Sequence, residues 1–163
     1  MNIYLIGLPG VGKTTVGKKI AEKINYEFID LDNYIELKAT LFIDEIFKLY
    51  GEEYFRKLES DCLEEISGKT NVVVACGGGI IKNKKNKEYM NGPCIYLTSS
   101  LNEINNRLDN SLIERPLLLT KSLLDLYFER KELYEYFKDY EINNQNIDNT
   151  VKDIIEILGD KIE

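Results

Sequence analysis

The segment GLPGVGKTT, residues 7–15, has the residue types and the spacing of a phosphate-binding loop, G-x-x-x-x-G-K-T. Glycines let the backbone turn its N–H groups towards phosphate oxygens, the lysine reaches the β- and γ-phosphates, and the threonine hydroxyl binds Mg²⁺. An apolar strand pattern precedes the loop and a helical pattern follows it, as this mechanism requires. The motif predicts binding of a nucleoside triphosphate, most simply ATP with Mg²⁺. The expected contacts are Gly10, Val11, Gly12, Lys13, Thr14 and Thr15.

Two aspartates, Asp30 and Asp32, follow the second apolar run. On an extended segment, residues i and i+2 point the same way, so both carboxylates could face one cleft at the carboxyl end of the strand. One carboxylate would hold Mg²⁺ through water, and the other would accept a proton from an attacking hydroxyl. The structural alternative is that Asp32 caps a helix while Asp30 is solvated.

Arginine is scarce in this lysine-rich chain, with four among 21 cationic residues. The guanidinium fork binds carboxylate and phosphate in a bidentate manner that lysine cannot reproduce. We therefore expect anion-binding roles for arginines beside motif-like segments, against the alternative that some are ordinary surface residues. The four are Arg56, Arg107, Arg115 and Arg130.

Three consecutive glycines, Gly77, Gly78 and Gly79, follow the third apolar run. Where side chains are missing, a substrate can lie directly against the backbone and its N–H groups. The alternative is a flexible turn, although a tight turn rarely needs three glycines. We expect this segment to belong to a substrate site.

Composition restricts the classes of function. The net charge of −7 argues against a protein that coats nucleic acid, and the absence of histidine excludes histidine bases and histidine-ligated metals. No apolar run is long enough to span a bilayer, and the N-terminal residues show no secretory signal pattern. The three cysteines, Cys62, Cys76 and Cys94, are expected to be reduced and buried. We therefore expect a cytoplasmic protein, monomeric, that acts on small molecules rather than on nucleic acid or membranes.

The elements that must position these residues follow from the hydrophobic pattern. Buried strands are expected at 3–6, 26–29, 72–76, 94–97 and 140–142. Helices are expected at 13–24, 43–66 with a break at Gly51, 122–137 and 148–158, and Ser100 with Glu103 resembles a capping box that opens another. Strands that alternate with helices predict a single α/β domain with a mainly parallel sheet.

The phosphate loop alone does not identify the phosphate acceptor. A GTPase would carry an Asn-Lys-x-Asp motif, which the Asn/Lys-rich stretch at 82–88 does not supply, and a large motor ATPase would need a longer chain. The carboxylates, arginines and glycines favour a small-molecule kinase. A catalytically silent nucleotide-binding module is a further alternative, although such a module would be expected to have lost Lys13, Asp32 or Arg115.

Together these segments resemble the shikimate kinases, which transfer phosphate from ATP to the 3-hydroxyl of shikimate in aromatic amino-acid biosynthesis. The resemblance covers nearly the whole chain. It rests on GLPGVGKTTVGKKIA (7–21), FIDLDNYIE (28–36), IDEIFKLYGEEYFRKLE (43–59), VVACGGGI (73–80), RPLL (115–118) and RKELY (130–134). It implies a three-layer α/β/α fold with a central five-stranded parallel sheet, a helical substrate-binding region at about 33–60 and a lid at about 108–121. A related gluconate kinase or nucleoside monophosphate kinase is the alternative enzyme.

The resemblance also implies roles at the ATP side. Lys13 and the loop backbone would hold the phosphates, while Thr14 and Asp30 would lie on the Mg²⁺ side. Arg115, in the lid, would stabilise the transferring phosphoryl group, so that Lys13, Asp32 and Arg115 form the catalytic set. Arg107 would stack on adenine, and the segment 143–150 occupies the place of the family's adenine-contacting loop.

At the acceptor side, the resemblance implies that Asp32 binds the shikimate hydroxyls and serves as the base. Arg56 and Arg130 would clamp the shikimate carboxylate. Gly77, Gly78 and Gly79 would form the floor beneath the ring.

Overall fold

The computed structural model describes residues 1–109 and 122–162, and strands alternate with helices throughout these two ranges. The strands are β1 (Ile3–Ile6), β2 (Glu27–Asp30), β3 (Val72–Ala75), β4 (Cys94–Thr98) and β5 (Tyr140–Asn143). The helices are α1 (Lys13–Ile24), α2 (Leu31–Ala39), α3 (Ile43–Ser67), α4 (Asn86–Tyr89), α5 (Leu101–Asp109), α6 (Leu123–Phe137) and α7 (Ile147–Leu158), with single 3₁₀ turns at Ile80–Lys82 and Gly159–Lys161.

The five strands form one sheet in the order β2-β3-β1-β4-β5, and every neighbouring pair is parallel. All residues of β1 and β3 are buried, as expected for central strands of a parallel sheet that helices cover on both faces. The predicted α/β fold with a five-stranded parallel sheet is therefore confirmed. Because the strands run in one direction, the loops after β1, β2 and β3 emerge at the same edge of the sheet.

Several local expectations are confirmed. The long helix α3 is interrupted at Gly51, whose φ of 87° and ψ of 171° lie outside the helical region. The helix expected at 122–137 is present as α6, and the structure adds that Ser122 is its cap, with its Oγ accepting a hydrogen bond from the Asp125 N–H at 3.1 Å. At the start of α5, Ser100 Oγ accepts from the Glu103 N–H, which is one half of the expected capping box, whereas the Glu103 carboxylate accepts from the Ser99 hydroxyl at 2.6 Å.

The segment after β2 differs from the expectation. Strand β2 begins at Glu27 rather than Tyr26, because the Tyr26 N–H still bonds to the Ala21 carbonyl at the end of α1. The strand ends at Asp30, and α2 begins at the next residue, so the segment that the sequence indicated as extended is a strand-to-helix junction.

Within the described ranges, none of the helices has both the length and the apolar character that a bilayer crossing requires. The predicted lid at 108–121 falls largely on residues outside the described ranges, as does Arg115.

Candidate active site

The phosphate-binding loop joins β1 to α1 at the carboxyl edge of the sheet. Gly12 has φ 105° and stands at the N-cap of α1, in a backbone conformation that side chains rarely tolerate. The N–H groups of the first helical turn therefore face the end of the helix, where the helix dipole also favours an anion. Lys13 folds back over its own loop, and its ammonium donates to the carbonyls of Gly7 and Leu8. This places a positive charge beside the loop.

Thr14 and Asp30 lie together at the ends of neighbouring elements. The Thr14 hydroxyl donates to Asp30 Oδ2 at 3.2 Å, while Asp30 Oδ1 accepts from the Asn33 N–H at 3.3 Å and so caps α2. A hydroxyl beside a carboxylate suits a hard cation such as Mg²⁺. Within the two described ranges there is no cluster of three or more acidic, cysteine or histidine ligands. In nucleotide sites Mg²⁺ commonly takes phosphate oxygens and water as its other ligands.

The reasoning that paired Asp30 with Asp32 on an extended segment is wrong, although both residues lie at the same edge of the sheet. Asp30 is the last residue of β2 and the N-cap of α2, whereas Asp32 lies in the first turn of that helix. The structural alternative was also wrong in detail, since the cap is Asp30 rather than Asp32. The helical turn directs Asp32 towards Gly77, where a methyl group would lie 2.8 Å from Asp32 Oδ1.

The three glycines after β3 leave space for charged side chains to converge. A methyl group at Gly77 would approach Asp32, one at Gly78 would lie 3.1 Å from Arg130 Nη1, and one at Gly79 would contact the Arg56 guanidinium. The glycines therefore bring a carboxylate and two guanidinium groups against one stretch of backbone. This arrangement fits a ligand that carries a carboxylate together with hydroxyl groups.

Glu59 is a member of this cluster to which the sequence analysis gave no role. It lies one helical turn after Arg56, and its side chain is 1% exposed. Arg56 Nη1 donates to Glu59 Oε1 at 3.0 Å, whereas Oε2 has no hydrogen-bond partner among the described residues. Burial raises the pKa of Glu59 to about 7, with Arg56 and Arg130 opposing the rise and Asp32 adding to it. The signal in the sequence was the i, i+3 spacing from Arg56.

Arg130 approaches the cluster from α6 and is 1% exposed. Its Nε has no hydrogen-bond partner within the described part of the chain. A guanidinium group in such a position is costly to bury unless an anion balances it. One turn later, the Tyr134 hydroxyl donates to the Gly78 carbonyl at 3.0 Å, and its ring stacks on Tyr96 with centroids 4.5 Å apart. These contacts fix the glycine segment beside Arg130.

Arg107 lies on the opposite side of the phosphate-binding loop. Its Nη1 donates to the Val11 carbonyl at 3.0 Å and to the Gly10 carbonyl at 3.3 Å, and its Nη2 donates to the Asn144 carbonyl at 3.3 Å. The guanidinium group therefore links the loop to the chain that follows β5. Stacking of Arg107 on adenine stays a prediction.

Comparison with known proteins shows which family this chain is similar to. A family model described as shikimate kinase matches residues 9–159. A shikimate kinase from Sulfurihydrogenibium sp. is 44% identical over 137 residues, which cover 82% of each chain. The structure of a shikimate kinase from Acinetobacter baumannii in complex with shikimate is 36% identical, has a TM-score of 0.90 and covers 99% of this chain and 95% of that one.

A gluconokinase from Sinorhizobium meliloti is similar at a lower level. Its structure has a TM-score of 0.60 and 18% sequence identity, and the alignment covers 99% of this chain and 93% of that one. This likeness concerns the fold alone.

Proposed function

The chain belongs to the shikimate kinase family, and on that premise we propose how its residues carry out the reaction. The enzyme transfers the γ-phosphoryl group of ATP to the 3-hydroxyl of shikimate, giving shikimate 3-phosphate and ADP on the pathway to aromatic amino acids. The observation that carries the assignment of residues is the convergence of Asp32, Arg56 and Arg130 on the glycine segment, at the sheet edge that also carries the phosphate-binding loop.

At the acceptor side, Arg56 and Arg130 bind the shikimate carboxylate, because the two guanidinium groups converge beside Gly78 and Gly79. Asp32 lies on the other side of this glycine segment and accepts the proton of the 3-hydroxyl as the oxygen attacks the γ-phosphorus. The bond between this phosphorus and the bridging oxygen of ADP breaks as the new bond forms. Positioning and charge stabilisation therefore supply most of the catalysis.

At the donor side, the loop from Gly10 to Thr15 binds the phosphates through backbone N–H groups. The Lys13 ammonium moves from its loop carbonyls to the β- and γ-phosphates. Thr14 and Asp30 would hold Mg²⁺, which when bound would neutralise part of the phosphate charge. Arg115 supplies a further cation from the lid at about 108–121. Closure of that lid excludes water and limits ATP hydrolysis.

The remaining assignments follow the same premise. We propose a single kinase domain with its substrate-binding region at about 33–60, acting as a cytoplasmic monomer on ATP and shikimate. The buried free cysteines support a reducing compartment, and the net charge of −7 supports small-molecule substrates over nucleic acid.

The experiment is an ADP-release assay with ATP and Mg²⁺ in which parallel reactions contain shikimate, gluconate, AMP or no acceptor. We expect turnover with shikimate and only background release in the other three reactions. Release that depends on gluconate or AMP would assign the chain to another small-molecule kinase. Binding of ATP without turnover on any acceptor would identify a nucleotide-binding module instead.

A further inference from the structure

Asn144 connects the far edge of the sheet to the phosphate-binding loop. It follows β5 directly and is 0% exposed. Its Nδ2 donates to the Val11 carbonyl at 2.9 Å, although the two residues are 133 positions apart in the sequence. The same amide group contacts the position that a side chain at Gly12 would occupy. The backbone of Asn144 is held in turn by β4, because its N–H donates to the Thr98 carbonyl at 2.7 Å.

The Val11 carbonyl accepts two hydrogen bonds, one from Asn144 Nδ2 and one from Arg107 Nη1. A carbonyl oxygen has two lone pairs, so this acceptor is fully used. The peptide group that carries this oxygen also carries the Gly12 N–H, which points the opposite way because the peptide is planar and trans. Holding the oxygen away from the phosphate cleft therefore keeps the Gly12 N–H directed into it.

Thr150 anchors the end of the Asn144 amide that faces away from the loop. The Thr150 hydroxyl, in the first turn of α7, donates to Asn144 Oδ1 at 2.8 Å, and both residues are buried. A rotated amide would place its oxygen against the Val11 carbonyl oxygen, whereas the Thr150 hydroxyl can accept as well as donate. The Val11 carbonyl, which can only accept, therefore sets the amide orientation, and Thr150 holds the other end of the amide in place.

We propose that Asn144 is a positioning residue for nucleotide phosphates: it holds the Val11 carbonyl in place, and Thr150 anchors the other end of its amide. This inference rests on the proposed function in one respect, that the loop binds the phosphates of ATP. It concerns the phosphates rather than the adenine base, and this distinction makes it testable.

The least disruptive test changes Thr150. Thr150→Val preserves the shape of the side chain but removes the donor, whereas Thr150→Ser keeps the hydroxyl and is the matched control. We expect about tenfold weaker ADP binding by calorimetry in Thr150→Val, the factor that corresponds to 1.4 kcal/mol, and near-normal binding in Thr150→Ser. The affinity for inorganic triphosphate, also measured by calorimetry, should fall by the same factor because this ligand has phosphates but no base. The dissociation constant of shikimate should not change.

Asn144→Asp provides the second test, because a carboxylate cannot donate to Val11 and adds negative charge beside the phosphates. We expect at least about a hundredfold loss of ADP affinity, with Asn102→Asp on the exposed face of α5 as the control for added charge. Thermal denaturation separates this loss from unfolding. If Asn144→Asp does not fold, the Thr150 pair still decides the question.

Unchanged affinity for inorganic triphosphate in Thr150→Val would overturn the proposal, and weaker ADP binding alone would then indicate a contact with the base. Equal losses of ADP and shikimate affinity would also overturn it, since they indicate a general structural effect. These binding measurements need no acceptor turnover. A failure of the proposed kinase reaction would therefore be visible separately, in the wild-type assay.

Discussion

Replacing Glu59 with glutamine isolates the charge of the buried carboxylate. Burial raises the pKa of Glu59 from its ordinary value of 4.5 to about 7 in the folded protein. A carboxyl group with a raised folded pKa contributes stability that is complete below the unfolded pKa and is lost as the pH rises through the folded pKa. A difference of this size corresponds to about 3 kcal/mol of unfolding free energy, lost between about pH 4.5 and pH 7.5.

The assay is urea denaturation of the wild type and of Glu59→Gln at several pH values between about 5 and 8. The amide is neutral throughout and retains an oxygen that accepts from Arg56, so it imitates the protonated carboxyl group. We expect the two proteins to be similarly stable near pH 5 and the variant to become more stable by up to about 3 kcal/mol near pH 8. Other ionisable groups affect both proteins alike, so the difference reports Glu59.

Parallel stability curves across this pH range would refute the reasoning, because Glu59 would then titrate alike in the folded and unfolded chains. Kinetics give an independent check. Glu59→Gln leaves Arg56 an acceptor and should change the KM for shikimate by less than about threefold, whereas Glu59→Ala removes the partner and should raise it about tenfold. Equal KM values in the two variants would show that Glu59 does not position Arg56.

Three further substitutions separate the acceptor site from the ATP site. Asp32→Asn should lower kcat by about a hundredfold or more with ADP binding unchanged, because an amide cannot take the hydroxyl proton; full activity would exclude Asp32 as the base. Arg130→Lys should raise the KM for shikimate about tenfold and leave that for ATP unchanged, because an ammonium lacks the bidentate fork; equal changes in both KM values would contradict a carboxylate-binding role. Gly79→Ala should raise the KM for shikimate by displacing the Arg56 guanidinium, and an unchanged KM would show that the space above Gly79 is not required.

The parts of the structure that the sequence predicted well are those that depend on local patterns. The apolar runs of the central strands, the helix after the phosphate-binding loop and the break at Gly51 each leave a signal within a few residues. The fold class followed because alternating strands and helices admit few arrangements.

The wrong or missing predictions concern the junction between a strand and a helix, and contacts between residues that are far apart in the sequence. The spacing of Asp30 and Asp32 predicts an extended segment that continues the strand. In the structure, Asp30 instead caps a helix that begins at Leu31, and this cap ends the strand. The i, i+3 spacing of Glu59 from Arg56 is visible in the sequence, but the burial of the pair depends on how α3 packs. Asn144 lies in a polar stretch typical of a surface loop, and its role depends on a hydrogen bond to a residue 133 positions away.

Phosphorus NMR of the product tests the central claim most directly. Wild-type enzyme, Mg²⁺, ATP and shikimate would be incubated to completion, and the new phosphate ester would be assigned through its coupling to the ring protons. The account predicts a single phosphorylated product, shikimate 3-phosphate, formed in equal amount to ADP. A phosphate on another hydroxyl, or ADP with only inorganic phosphate, would contradict the placement of shikimate between Asp32 and the paired arginines.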